Sequence, residues 1–228
     1  PFLAAGKVEF VGQAVAVVVA REMLYAREAA ARAVVQVKAL PAILTIEEAM
    51  AAQSFIMPPK GIQRGDASAA IASAPHRVKG SVRTGQQEQF YLEGQITYAV
   101  PREDGQLTLY CSTQHPDGNQ REAAAALNLS TSDVEVICRR MGGGFGGKEG
   151  NASIFSQSAA LAAFKLKRPV KLRVNRDDDM TITGKRHDFR IDYEVGFDDE
   201  GRILGADIAL MSRCGYSTDY SSPVNDRA

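Results

Sequence analysis

The chain has 228 residues, of which 45% are hydrophobic, and its 27 basic side chains balance its 27 acidic ones. A chain of this length can bury a sizeable core in one or two domains. Its formal net charge of zero argues against nucleic acid or an anionic membrane surface as a partner. The sequence has no apolar stretch of about 20 residues, so we expect no membrane span. Its three scattered cysteines give no disulfide framework, so we expect a cytoplasmic protein.

The first part of the chain predicts the order strand, helix, strand, helix. Valine-rich residues 8–20 predict a strand, alanine-rich residues 21–33 predict a helix, and residues 33–40 alternate like a second strand. Thr45 and Glu48 have the spacing of a capping box, which predicts that a short helix begins there.

A change of composition predicts a second domain. Residues 53–74 contain adjacent prolines, glycines and an alanine and serine stretch, which is typical of a linker. The second domain should begin near His76. Two segments that alternate apolar and polar residues, 95–101 and 107–113, predict a hairpin within it.

After this hairpin the chain twice predicts a strand, a loop and a helix. Residues 116–127 begin with proline and continue as an alanine-rich helix, so Gln114 should lie between a strand and a helix. Residues 133–139 then predict a strand, and residues 151–165 predict an apolar helix. Both loops should lie at the same end of one sheet, where crevice sites form in α/β folds. Two later segments predict a further hairpin: residues 189–197 and 203–212.

The second of these loops, Met141 to Glu149, has the sequence MGGGFGGKE, with five glycines around one aromatic side chain. Glycine tolerates positive φ and lets a backbone approach a ligand, and each glycine adds conformational entropy that folding must remove. Phe145 has little to pack on among these glycines, which favours ligand binding over a place in the core. A loop between a strand end and a helix N-terminus also suits anions.

Two phosphate-binding patterns nearly fit this loop. The glycines satisfy G-x-G-x-x-G and, with Lys148, also G-x-x-x-x-G-K. A P-loop needs Ser or Thr after the lysine to hold magnesium, but Glu149 follows it and would repel a phosphate. A nucleotide-binding, non-catalytic module is therefore the weaker alternative. The sequence favours a flat group that stacks on Phe145 and hydrogen-bonds to Glu149.

Several other polar side chains have an ordinary structural interpretation. Glu88 and Glu93 could form a catalytic carboxylate pair, but their place on a predicted strand favours a structural role. Three successive carboxylates, residues 177–179, more often begin a helix than bind a cation. His115, at a helix entry, is more often a solvent or capping contact than a cofactor ligand.

Cysteine and histidine usage predicts no metal site and no disulfide framework. The scattered cysteines form no C-x-x-C pair, so we expect neither a disulfide framework nor an iron–sulfur cluster in this chain. His76 and His187 lack a partner at zinc-ligand spacing. The three cysteines are Cys111, Cys138 and Cys214.

The glycine loop, together with QEQFYLE at residues 87–93 and STQ at residues 112–114, resembles the molybdenum-binding part of the xanthine dehydrogenase and aldehyde oxidase family. Residues 8–50 resemble the end of the a/b hammerhead domain that precedes it. The resemblance continues through three further segments: residues 167–170, 183–187 and 226–228.

The resemblance implies an α+β fold with mixed sheets and flanking helices. Residues 1–56 would be the C-terminal part of an a/b hammerhead domain, and residues 57–75 a linker. Residues 76–228 would be the N-terminal part of a molybdopterin-binding domain.

The resemblance also implies a hydroxylase that inserts water-derived oxygen into an electron-poor C–H bond, with molybdenum held by molybdopterin or its cytosine dinucleotide. Electrons would leave through 2Fe-2S clusters and FAD on other domains or subunits of an oligomeric enzyme. Gln114 would lie beside the apical oxo group of molybdenum without ligating the metal. Phe145 would stack on the substrate ring, while the backbone at Gly144, Phe145 and Gly146 supports the cofactor.

Two residues bear on the substrate. In the purine-oxidising branch of this family, a glutamate ending the glycine motif and an arginine further along hydrogen-bond to the purine, whereas aldehyde-oxidising relatives usually carry apolar residues there. Glu149 and Arg227 stand at these places and would complement a purine and its developing negative charge. We therefore expect xanthine or hypoxanthine as substrate, with Gln114, Glu149 and Arg227 as catalytic residues. Oxidation of aldehydes or other N-heterocycles is the alternative.

The general base of this family is a glutamate far downstream, and it is not in this sequence, nor are the remaining pterin contacts. We therefore expect the isolated chain to be inactive and to hold the cofactor poorly.

Overall fold

Alanine-rich stretches with helical periodicity and alternating apolar segments form seven α-helices and seven β-strands in residues 2–228, the part of the chain that the computed structural model describes. Short 3-10 turns lie at Glu103–Gly105 and Thr131–Asp133. In chain order the elements are α1 (Met23–Ala31), α2 (Ile46–Ala51), α3 (Ala67–Ser73), β1 (His76–Thr84), β2 (Ile96–Pro101), β3 (Leu107–Cys111), α4 (Pro116–Leu127), β4 (Val134–Ile137), α5 (Asn151–Leu166), β5 (Val170–Arg173), α6 (Arg176–Ile182), β6 (Asp188–Phe197), β7 (Ile203–Arg213) and α7 (Ser221–Asn225).

The elements divide into two units, each built from two stretches of the chain. The first unit holds Pro1–Lys38 and Glu88–Lys185, and the second holds Ala39–Gln87 and Arg186–Ala228. The α+β class expected from the sequence is confirmed. None of the helices described is both long and apolar enough to cross a membrane.

A four-stranded sheet organises the first unit, with the strand order β4-β3-β2-β5. Strands β3 and β4 are parallel, with α4 as the connection between them, and the other neighbours are antiparallel. Alternate residues of the strands face helices α4 and α5, and small alanines let the layers approach closely. The buried core consists of Ala99, Leu107, Leu109, Ala123, Ala124, Val134, Ala159, Ala160 and Ala163.

The second unit is built on an antiparallel sheet with the order β1-β6-β7. Helix α3 lies close to this sheet because glycines face it. A Cβ at residue 196 would lie 3.0 Å from the Ile71 Cα, and a Cβ at residue 205 would lie 3.0 Å from the Ala67 carbonyl oxygen. Thr45 and Glu48 form the predicted capping box of α2.

The predicted strands at residues 8–20 and 33–40 are wrong, because both segments run without regular secondary structure on either side of α1. A strand needs a neighbouring strand to complete its backbone hydrogen bonds, and neither segment has one among the described residues. The residues predicted as a linker, 57–75, are also not irregular throughout, since they contain α3. The domain boundaries at residues 56 and 76 stay predictions.

Most predicted elements of the later chain are confirmed to within a few residues, but the strand predicted at Glu88 and Glu93 is wrong, because residues 85–95 connect β1 and β2 without forming a strand. The hairpin of β2 and β3, helix α4, strand β4, helix α5 and the hairpin of β6 and β7 all form where the patterns indicate. Helix α6 begins at Arg176 and holds the three aspartates in its first turn, and the Asn175 side chain accepts a hydrogen bond from the Asp178 N–H at 2.7 Å.

Candidate functional site

Two loops meet at one end of the first unit's sheet, because β3 and β4 are parallel neighbours and each is followed there by a loop. The Gln114 N–H donates to the Lys148 carbonyl oxygen at 2.9 Å, and Thr113 Oγ1 donates to the same oxygen at 3.0 Å. Gln114 and the glycine loop, which we define as residues 142–148, are therefore in direct contact.

The glycine loop fixes the orientation of the Gln114 side chain. Gln114 Oε1 accepts hydrogen bonds from the Gly146 N–H at 3.0 Å and the Lys148 N–H at 3.1 Å. Two donors at one atom identify it as the amide oxygen. The Nε2 group has no partner within residues 2–228, and the side chain is exposed. Gln114 therefore offers an oriented N–H donor to a ligand.

Gly144 makes this arrangement possible. A Cβ at residue 144 would lie only 2.5 Å from Gln114 Oε1, which is inside any allowed contact. A larger residue would displace the amide from the loop. The glycine requirement here thus comes from close approach of a side chain.

Phe145 lies on the outside of the loop. Its side chain is 74% exposed, and its φ of 53° lies in the left-handed region, between Gly143 at 92° and Gly146 at 83°. A non-glycine residue in that region costs roughly 1–2 kcal/mol, and such strain collects at ligand sites. The ring is therefore presented for contact rather than buried in the core.

An ion pair between the buried Lys148 and the partly exposed Glu93 lies at the ends of the loop. The Glu93 carboxylate accepts from the Gly142 N–H at 2.9 Å and from Ser112 Oγ at 2.7 Å, and the Lys148 ammonium group lies 3.3 Å away. Burial would raise the pKa of Glu93, but these three donors together lower it. Burial lowers the pKa of Lys148, against the attraction of Glu93.

Tyr91 supports the loop at Gly147. Its hydroxyl donates to Asp179 Oδ1 at 2.6 Å, and Gln95 Nε2 donates both to this hydroxyl at 2.8 Å and to the Gly147 carbonyl at 2.9 Å. Burial, reinforced by Asp179, raises the pKa of the Tyr91 hydroxyl, which therefore stays a donor. A Cβ at residue 147 would lie 2.7 Å from the Tyr91 ring, so a second glycine allows close packing.

The two predicted substrate residues differ in their setting. Glu149 ends the motif just before α5, is half-buried, and its carboxylate has no hydrogen-bond or ion-pair partner among the described residues. Arg227 follows α7 and is exposed, and its guanidinium group likewise has no partner within residues 2–228. Glu149 belongs to the first unit and Arg227 to the second. Their shared role stays a prediction.

The remaining candidates make structural contacts. Glu88 forms an ion pair with Lys185 at 2.7 Å, and His115 Nε2 lies 2.9 Å from Asp117 Oδ1. His187 Nε2 lies 2.8 Å from Ser221 Oγ, and burial lowers its pKa. Residues 2–228 contain no cluster of side chains suited to hold a metal ion, and all three cysteines are free.

The sequence interpretation missed Lys148 and the Tyr91 network. Nothing in the pattern indicates that the lysine of GGKE is buried, because its partner Glu93 lies far away in the sequence. The only available signal was that QEQFYLE and the glycine loop occur together.

The geometry fits a flat, polar cofactor that approaches backbone. The loop offers an exposed ring, glycine surfaces without side chains and the free amide donor of Gln114. Glu149 adds an unpaired carboxylate at the end of the loop. Glu149 is the only carboxylate among these side chains and no second ligand accompanies it in the described part of the chain, so the protein would hold the cofactor through its organic part and position a metal indirectly.

Comparisons with known proteins agree with this geometry. Residues 49–228 match the family described as molybdopterin cofactor-binding domain. The chain is 41% identical to a xanthine dehydrogenase of Drosophila subobscura over 99% of its own length, and 40% identical to aldehyde oxidase 2 of Cavia porcellus over 97%. It spans 17% of the length of each of these curated relatives.

A solved structure, that of quinoline 2-oxidoreductase from Pseudomonas putida 86, superimposes with a TM-score of 0.78 at 26% identity. The match covers 92% of this chain and 28% of that one. Because the family match includes both loops of the site and more than half of the chain, the chain belongs to the molybdopterin cofactor-binding domain family.

Proposed function

We propose that the enzyme containing this chain is a molybdenum hydroxylase that oxidises xanthine or hypoxanthine. The observation that carries the proposal is the exposed Phe145 on a loop that also orients Gln114 and ends at the unpaired Glu149. The molybdenum–pterin cofactor, when bound, supplies the two-electron oxidation by which a water-derived oxygen replaces hydrogen on the substrate. The residues of this chain bind and orient the reactants.

Gln114 and the loop backbone hold the cofactor side of the site. The Gln114 amide would donate to an acceptor of the bound cofactor without ligating the metal, and the backbone at Gly144, Phe145 and Gly146 would support the organic part. The amide cannot rotate freely, because its oxygen already accepts two hydrogen bonds. A preoriented donor does not need to reorganise during the reaction.

Phe145, Glu149 and Arg227 hold the substrate side. The Phe145 ring stacks on the heterocycle, an interaction worth roughly 0.5–1.5 kcal/mol beyond the buried area. When ionised, Glu149 accepts a hydrogen bond from a ring N–H of the purine, and when protonated it donates to a ring nitrogen or carbonyl oxygen. The Arg227 guanidinium, which is always charged, stabilises negative charge that develops on the substrate.

An alternative substrate class is supported by the relatives. One curated relative is named aldehyde oxidase 2, and one structural neighbour is named quinoline 2-oxidoreductase. Aldehydes or other N-heterocycles are therefore the second candidate for this scaffold. The two polar residues Glu149 and Arg227 favour purines, because an aldehyde has fewer groups for them to contact.

Substitution of Glu149 in the complete enzyme tests the choice between purines and aldehydes. Glu149→Ala should lower kcat/KM for xanthine by roughly 10²–10³-fold, the loss of one such donor or acceptor in the transition state, and leave an aromatic aldehyde unaffected or improved. Glu103→Ala is the matched control, because Glu103 lies on an exposed turn of the same unit. Equal activity of Glu149→Ala and the control on xanthine would refute the purine assignment.

The rest of the enzyme would complete the reaction. We propose that 2Fe-2S clusters and FAD on other domains or subunits of an oligomer accept the electrons. We also propose that the isolated chain is inactive, because the general base is expected downstream. The chain spans only 16% to 17% of the curated relatives compared above and of similar ones, which leaves room for these parts.

A further inference from the structure

Lys148 is a buried lysine that the proposed reaction does not use. Its side chain is 0% exposed. Its ammonium group donates to Ser112 Oγ at 2.8 Å and to Glu93 Oε2 at 3.3 Å, and lies 4.7 Å from the centre of the Tyr91 ring. Lysine is almost never fully buried unless it is paired. The buried ammonium group at the end of the glycine loop therefore indicates a specific structural or positioning role.

Glu93 connects this lysine to the opposite end of the glycine loop. Its carboxylate accepts from the Gly142 N–H at 2.9 Å, and its own N–H donates to the Gly142 carbonyl at 3.2 Å. One carboxylate thus holds the first residue of the loop through its backbone and the last residue through its ammonium group. Glu93 therefore links the two ends of the loop, Gly142 and Lys148, to each other.

The main chain of Lys148 is also what holds Gln114. The Lys148 N–H donates to Gln114 Oε1 at 3.1 Å, and the Lys148 carbonyl accepts from the Gln114 N–H at 2.9 Å. Any movement of Lys148 therefore moves the amide that is presented to the ligand. The side chain of Lys148 fixes its position through Ser112 and Glu93, and its backbone orients Gln114.

We propose that the Lys148–Glu93 ion pair is a clasp that closes the glycine loop, and that Lys148 is a positioning residue for Gln114. The second part rests on the proposed function of Gln114, whereas closure of the loop does not. The clasp uses the charge of Lys148 as well as its bulk, since only a cationic donor reaches both Ser112 and the carboxylate.

The test uses four variants of the complete enzyme: Lys148→Met, Glu93→Gln, the double variant, and Lys171→Met. Lys171 is the matched control, because it is an exposed lysine of the same unit without an ion pair in the described part of the chain. Three quantities are measured: amide hydrogen exchange of residues 142–148, kcat for xanthine, and thermal stability.

Lys148→Met should speed exchange in the glycine loop about tenfold and lower kcat about tenfold, while Lys171→Met changes neither. Glu93→Gln should have a smaller effect, because its amide oxygen can still accept from the Gly142 N–H. The double variant leaves no lone buried charge, so its thermal stability should return towards that of the unmodified enzyme. Its exchange and kcat should stay altered, because the ammonium donor is still missing.

This difference separates positioning from a purely structural role. If Lys148 only stabilised the fold, exchange and kcat in the double variant would recover together with stability, and the proposal would be overturned. Unchanged loop exchange in Lys148→Met would overturn the clasp itself. If Lys148→Met yields no protein, the double variant and Glu93→Gln carry the same comparison. Absence of xanthine turnover by the unmodified enzyme would refute the proposed function alone, because loop exchange still reports on the clasp.

Discussion

At the scale of single residues, the site depends on glycines, because neighbouring side chains occupy the space that a Cβ would need. Gln114 occupies the space where a side chain of residue 144 would begin, and the Tyr91 ring occupies the corresponding space at residue 147. Phe145 takes a backbone conformation that glycine adopts more easily, with its ring in solvent. The loop therefore combines close packing on its inner side with an exposed aromatic side chain on its outer side.

Gly144→Ala tests the inner side in the complete enzyme. The added Cβ would lie 2.5 Å from Gln114 Oε1, so the amide must leave its two backbone donors. A misplacement of about 1 Å can cost on the order of 10²-fold in rate, and we expect a fall in kcat of that size. The effect should vanish in a Gln114→Ala background. A fall of equal size in that background would mean that Gly144 acts by another route.

The sequence predicts one part of the site and not another. The contact between Gln114 and the glycine loop follows from local patterns, because each pattern places a loop after a strand and parallel neighbours end at the same edge. The burial of Lys148 does not, because it depends on Glu93, which is distant in sequence. A lysine beside a glutamate in a glycine loop looks equally suited to solvent until that contact is known.

At the scale of elements, the patterns succeeded where the pairing partner is close in the chain. Strands β2 and β3, like β6 and β7, are joined by short turns, and the periodicity alone predicts them. Residues 8–20 and 33–40 have similar valine-rich alternation and form no strand. Alternating apolar residues give a segment side chains that fit one face of a sheet. The segment becomes a strand only if a neighbouring strand completes its backbone hydrogen bonds.

Helix α3 illustrates the same limit, since residues 67–73 had the composition of a linker and instead pack on the second unit's sheet. Gly205→Ala tests this packing, because the new Cβ would lie 3.0 Å from the Ala67 carbonyl oxygen. Overpacking of this kind costs typically about 1–3 kcal/mol, so exchange of the α3 amides should accelerate in the complete enzyme. Gly85→Ala is the control, since a Cβ there meets nothing within 4 Å. Equal exchange in both variants would contradict close packing of α3.

At the scale of the whole molecule, the chain exposes many large apolar side chains within residues 8–44. Val11 and Val34 are each 87% exposed, and Leu44 is 65% exposed. Single exposed apolar residues are ordinary, but this stretch exposes many of them in segments without regular secondary structure. This agrees with the proposal that the chain works only together with other parts of a larger enzyme.

The isolated chain of residues 1–228 should therefore be inactive on xanthine and bind a hydrophobic dye such as ANS. The first expectation rests on the proposal that the general base lies downstream, and the exposed valines and leucines are the reason for the second. A Val34→Thr/Val37→Thr variant should bind less dye, because both side chains are strongly exposed, whereas Thr131→Val adds one methyl group on a turn and should bind no less. Dye binding is measured by fluorescence titration, and association by light scattering. Xanthine turnover by the isolated chain would contradict the first expectation, and a monodisperse chain without dye binding would contradict the second.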